Sequence, residues 1–165
     1  MLILGVDPGL ATAGYALIEI KGNNYSLVDY GTITTDSDKE DVERLMIIHE
    51  ELGDIINQYQ PEQMAVEELF FNRNVKTAIR VGQARGVIML CGSEANLEVG
   101  EYTPLQVKQA VVGYGRARKK QVQKMVKAML SLEEIPRPDD AADACAVAIC
   151  HGHSYANREK WGQIL

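Results

Sequence analysis

Cysteine is scarce in this chain: there are three, Cys91, Cys145 and Cys150, set in apolar helical stretches without framework spacing. That excludes a disulfide-stapled module and leads us to expect a reduced, cytoplasmic protein. Apolar runs long enough to span a bilayer are missing. No signal-peptide pattern opens the chain, and with the first strand starting almost at Met1 we expect no leader. Repeats and low-complexity stretches are absent, and no Ser-His-Asp or Cys-His arrangement offers a nucleophile. The fragment Cys150-His151-Gly152-His153 looks metal-like but lacks the spaced partner ligands of a zinc site, so it reads as a helix end. What is present is 165 residues, 46% hydrophobic, enough for one domain with one substantial core. We place that domain at 1–157, with 158–165 as a short polar C-terminal tail.

A formal net charge of −6 argues weakly against nucleic acid as a partner. Its distribution argues the other way. Residues 29–68 hold twelve acids and two bases, a net of −10, whereas 71–130 hold eleven bases and three acids, a net of +8. Surface field follows local clusters, so a basic face can coexist with an acidic total, although such asymmetry is often only a solvated helix face.

Hydrophobic patterning predicts strands over 2–6, 14–20 and 25–34, the last two joined by a Gly-Asn-Asn turn. A helix over 38–59 follows, with Val42, Leu45, Met46, Ile48, His49, Leu52, Ile55 and Ile56 on its apolar side and Pro61 after its end. A strand at 63–67, a helix at 75–94 entered through 72–74, and a strand at 97–102 come next. Thr103-Pro104 matches an N-cap with proline at the first helical position. A loop rich in glycine and arginine over 112–118 leads to a helix at 119–130. The chain breaks at 135–138, and a last helix runs over 139–153 before a polar, loosely attached end. This order implies an α/β fold: a mixed five-stranded sheet, three antiparallel strands then two parallel ones, with helices on both faces.

Four acids stand at punctuation points of this pattern. Asp7 closes the first strand, Glu67 closes the fourth, and Asp140 and Asp143 share a face at the start of the last helix. Turn formation by Asp7 and helix capping by the pair are the bland explanations. An acid at the end of a buried strand is costly unless something positive meets it. If strands one and four are adjacent and parallel, both acids emerge at the same carboxyl end, where α/β ligands bind. Four oxygen donors would suit two Mg2+ or Mn2+ ions and in-line hydrolysis of a phosphodiester.

Six colinear motifs sharpen this: Gly5-Val6-Asp7-Pro8-Gly9 with Gly14-Tyr15, Ala65-Val66-Glu67 with Phe70, Gly82-Gln83-Ala84-Arg85-Gly86, Val107-Lys108-Gln109, Gln121-Val122-Gln123, and Asp140-Ala141-Ala142-Asp143-Ala144. Together, over residues 2–153, they resemble the RuvC family of Holliday junction resolvases. The resemblance implies an RNase H-like fold, a homodimer, and two Mg2+ ions per subunit with Mn2+ able to substitute. It also implies paired symmetric nicks in four-way junction DNA, leaving 5′-phosphate and 3′-hydroxyl ends, and partnership with the RuvA–RuvB branch-migration complex.

Carried onto this chain, the family's catalytic and metal-binding acids are Asp7, Glu67, Asp140 and Asp143. Asp139 is an additional acid four residues before Asp143; spacing alone leaves it open as a ligand, and the motif match selects Asp140. Phe70 matches an aromatic placed against junction bases, although packing at a strand end would also explain it. Lys108 and Lys119 match basic positions near the scissile phosphate, with Arg116, Arg118 and Lys120 around the same loop. Arg73 and Lys76, with Arg80 and Arg85, are candidate DNA-backbone contacts. The helix carrying Val75, Ala78, Ile79, Gly82 and Gly86 matches the family's two-fold interface, although internal packing would also explain its small residues. Other readings are another RNase H-like nuclease, a junction-binding module without cleavage, and an actin-like ATPase, for which the chain is too short.

Overall fold

The computed structural model describes residues 1–69 and 75–162, the stretch 156–162 as backbone only. Strands β1 (Leu2–Asp7), β2 (Thr12–Lys21) and β3 (Asn24–Thr34) form an antiparallel meander. Helix α1 (Asp41–Tyr59) crosses to β4 (Gln63–Glu67), and α2 (Val75–Glu94) crosses to β5 (Glu98–Tyr102). The sheet order is β3-β2-β1-β4-β5, with β4 parallel to both β1 and β5. Helices α3 (Pro104–Val112), α4 (Lys119–Met129) and α5 (Asp139–Gly162) complete the chain. This is the mixed five-stranded sheet that the strand pattern implied, in the RNase H-like arrangement that the resemblance implied.

Alternation along each strand sorts side chains into two cores. Leu4 and Val6 of β1, Leu17 of β2 and Met64 and Val66 of β4 pack with Ile48, Leu52 and Ile56 of α1 and with Ile88 of α2. Ile3, Ala16, Ile18 and Ala65 face the opposite way, toward α3, α4 and α5. Asp7 has the parity of Ile3 and Gly5, and Glu67 that of Ala65. Both acids therefore belong to the face that α5 covers.

From Ala144 to Cys150 α5 is buried on all sides, between the sheet and the pair α3 and α4. An alanine run suits that place, because small side chains let a helix approach a sheet closely. Two glycines complete the fit. A Cβ at Gly5 would run into the Ala144 carbonyl and Ala148, and one at Gly14 into the carbonyl of Asp140. The start of α5 is thereby seated against β1 and β2 at the end where Asp7 emerges.

Three expectations are corrected. Helix α1 begins at Asp41, and Val42 and Met46 are 67% and 56% exposed although the periodicity placed them on the apolar side. The stripe that is covered is narrower, Ile48, Leu52 and Ile56, and it includes buried Arg44, held by Thr35 Oγ1 at 2.8 Å. The last helix continues to Gly162 instead of ending near His153. Neither proline nor glycine occurs between Gly152 and Gly162, so nothing in the chain stops it earlier. The expected helix entry at 72–74 lies outside the described residues.

Candidate active site

Parallel pairing of β1 with β4 runs Gly5 against Ala65 and Val6 against Val66, which sets Asp7 beside Glu67. The two carboxyl groups share a hydrogen bond. Asp140 and Asp143 arrive from the first turns of α5, close enough for both charges to act on Asp7. Burial first, then the charges of Glu67 and Asp143, the hydrogen bond with Glu67 and the charge of Asp140 push the Asp7 carboxyl up to about 8. Glu67 is also raised, by burial above all. Its bond to Asp7 and the charges of Lys108 and Lys119 pull down, and Asp143 pushes up. At neutral pH the strand pair thus holds a shared proton.

Asp143 differs in having a cation. Lys119 Nζ, at the first position of α4, donates to Asp143 Oδ2 at 2.7 Å. Burial nevertheless outweighs that bond, and Asp143 too is raised. Burial works against the Lys119 charge, but the bond to Asp143 and the charges of Asp143, Asp139 and Asp140 outweigh it and raise the lysine. Asp139 turns toward α4, where Gln123 donates to it, and Arg137, two residues before it in the chain, donates as well. Gln123 and Arg137 escaped the sequence reading as partners of this acid. The available signal was spacing: Lys119 and Gln123 are four apart on α4, as Asp139 and Asp143 are on α5.

Two openings flank the acids. One, a cavity of about 200 Å³, is lined by Glu67, Lys108, Lys119 and Asp143, with Val107 and Val122 as apolar walls. The other, about 390 Å³, runs from the β1–β2 turn past Asp140 to Arg44 and Arg80. Arg116, Arg118 and Lys120 are exposed on the loop and the start of α4, next to Lys119. Lys76 is exposed at the start of α2. Arg80 is paired with Asp41 at 2.9 Å and Arg85 with Glu101, so each already has an acidic partner. Phe70 and Arg73 lie outside the described residues. On α2, Val75 and Ile79 are 70% and 57% exposed, and Gly86 is open on the same side. Ala78 and Gly82 are half-buried, and Leu90, 53% exposed, extends the apolar stripe.

All four acids offer oxygen donors, the set a hard divalent cation takes, and the crowding that raises Asp7 is what such a cation would relieve. Among the described residues, however, no three of these acids are drawn into a ready cage. Lys119 holds Asp143, so a cation would have to compete with an ammonium for that carboxylate.

Comparison with known proteins agrees with this fold. The family model described as "Crossover junction endodeoxyribonuclease RuvC" matches residues 3–151. A curated relative of that same name from Halothermothrix orenii is 68% identical, covering 98% of each chain. A solved Thermus thermophilus RuvC structure is 36% identical with a TM-score of 0.88, covering 96% of this chain and 97% of its own. A second, of T. thermophilus RuvC in complex with Holliday junction substrate, is 37% identical with a TM-score of 0.90 and 96% coverage of each chain. With the acids gathered from β1, β4 and α5 in that fold, and with relatives matched from end to end, the chain belongs to the RuvC family of crossover junction endodeoxyribonucleases.

Proposed function

We propose that this protein resolves four-way DNA junctions, nicking two symmetry-related strands in a divalent-cation-dependent hydrolysis that leaves 5′-phosphate and 3′-hydroxyl ends. The observation that carries the reading is the meeting of Asp7, Glu67, Asp140 and Asp143 at one sheet end, with Asp7 pushed up to about 8. Two Mg2+ ions, or Mn2+ in their place, would be held by these four acids and would supply an activated water and charge stabilisation for the leaving oxygen.

The chain's own residues do the rest. Asp7 and Glu67 lose their shared proton as the site is loaded. Lys108 and Lys119, on the wall of the adjoining cavity, meet the scissile phosphate and orient it toward the acids. Arg116, Arg118 and Lys120 hold the flanking DNA backbone, and Lys76 and Arg73 add further backbone contacts. Phe70 stacks on or wedges between bases where the strands part. This basic surface is the local cluster that the acidic total conceals.

Paired nicks call for two sites related by a two-fold axis. The exposed stripe of Val75, Ile79, Gly86 and Leu90, with Ala78 and Gly82 beside it, supports a homodimer through α2. Ile79→Asp is expected to convert the dimer to monomer in sedimentation velocity. We further propose that the protein works in the cytoplasm with the RuvA–RuvB branch-migration complex, and that residues 1–157 suffice for catalysis without the segment 158–165.

The test is gel mapping of nicks on a mobile four-way junction with and without Mg2+. Two symmetric, ligatable nicks that need Mg2+ are expected. Preferential cutting of linear duplex would favour a generic RNase H-like nuclease, and junction binding without nicks would favour a binding module.

A further inference from the structure

Two side chains of α4 meet two of α5 at the mouth of the site. Lys119 Nζ donates to Asp143 Oδ2 at 2.7 Å and lies 3.6 Å from Asp139 Oδ2. The other Asp139 oxygen, Oδ1, accepts from Gln123 Nε2 at 3.0 Å and from Arg137 at 2.9 Å. Gln123 is buried, so the Asp139 carboxylate is held from the α4 side. The Lys119 ammonium therefore stands between two carboxylates, one inside the acid cluster and one outside it.

We infer that Asp139 is a positioning residue, the alternative counter-ion that keeps the Lys119 ammonium at the mouth of the site when a divalent cation claims Asp143. This rests on reading Asp7, Glu67, Asp140 and Asp143 as cation ligands. A cation on Asp143 repels an ammonium bonded to the same carboxylate. From 3.6 Å, Nζ has to travel only about 1 Å to reach bonding distance of Asp139 Oδ2. No covalent bond changes, and the lysine stays where a phosphate can meet it. Without the Asp139 charge the ammonium has only acids of the cluster to face, Asp143 first, and it competes with the cation there.

The experiment is a Mg2+ titration of the full chain followed by melting temperature, without DNA. It compares wild type, Asp139→Asn, Asp139→Glu, Lys119→Gln and the Asp139→Asn/Lys119→Gln double variant. Asparagine keeps an oxygen for Gln123 and replaces the other, with its charge, by an amide NH2. Asp139→Asn is expected to raise the Mg2+ midpoint about three- to fivefold, the scale of a partly exposed ion pair. Asp139→Glu should return the midpoint close to the wild-type value. In the Lys119→Gln background the effect of Asp139→Asn should vanish, because Asp139 acts through the lysine. A wild-type midpoint in Asp139→Asn, or the same rise with and without Lys119, would overturn the inference and leave Asp139 as a clamp between α4 and α5. No response of the wild type to Mg2+ would overturn the cation-site reading itself, and the inference with it.

Discussion

Asp7 and Glu67 stand on neighbouring parallel strands and share a hydrogen bond with each other, whereas Asp139 and Asp143 stand on one helix face with an ammonium between them. Both halves belong to one sheet end, yet only the helix half has an ammonium bonded to it, whereas Lys108 and Lys119 act on Glu67 without a bond. The strand half is an electrostatic deficit fixed by the sheet: β1 and β4 cannot separate without breaking the core on both sides of them. The helix half is adjustable, since a lysine side chain can move while the helix stays in place. A site of this kind keeps its carboxylates apart in role. On the proposed reading, one pair awaits a cation and the other holds a replaceable one.

The largest contrast is expected in activity. Asp7→Asn should lower junction nicking in Mg2+ by more than about 100-fold, beyond the usual cost of losing a ligand's outer-shell partner. Junction binding in a gel-shift assay should stay within a fewfold of wild type. Nicking at the wild-type rate would remove Asp7 from the chemistry.

A pH effect on the metal-free protein should follow. The Asp7 carboxyl ionises near 8 in the fold against 3.8 in an unperturbed chain. Between those values the folded chain holds the extra proton, so stability falls as pH rises. Glu67 and Asp143 are shifted in the same direction and add to the trend. The melting temperature without metal should drop by at least about 5 °C between pH 5 and 8.5, and Asp7→Asn should flatten the drop. A profile that rises with pH would mean that the strand pair has a compensating charge.

Gly14→Ala tests the seating of the helix half against the strand half. The added methyl meets the Asp140 carbonyl, and overpacking of this kind costs about 1–3 kcal/mol, read as a lower melting temperature with slower nicking. The smallest effect should come from Arg137→Ala. Arg137 is an exposed partner of Asp139, and Gln123 remains, so a loss of less than about 1 kcal/mol is expected in chemical denaturation.

Much of this was legible in the sequence, for reasons that differ by residue. Strand alternation and the punctuation at Asp7 and Glu67 fix both acids to one sheet face once β1 and β4 are adjacent. The alanine run at 141–148 marks a helix meant to lie close to that sheet. Periodicity shows an apolar side but not what covers it, which is why Val42 and Met46 looked buried and are exposed. The burial of Arg44 depends on Thr35 meeting it from outside the helix, a tertiary fact without a local signature, whereas its pair with Asp41, three residues before it, is local. Asp139 and Asp140 are adjacent in the chain, and only the position of α4 separates them: Asp139 meets Lys119, Gln123 and Arg137, while Asp140 borders the β1–β2 turn.

The most direct measurement is the melting of wild type and Asp7→Asn at pH 8 with and without Mg2+. If the strand pair is a deficit kept for a cation, metal-free Asp7→Asn melts above wild type by about 3 °C or more, and Mg2+ raises only the wild type substantially. Melting of metal-free Asp7→Asn at or below wild type, with Mg2+ leaving both unchanged, would contradict it.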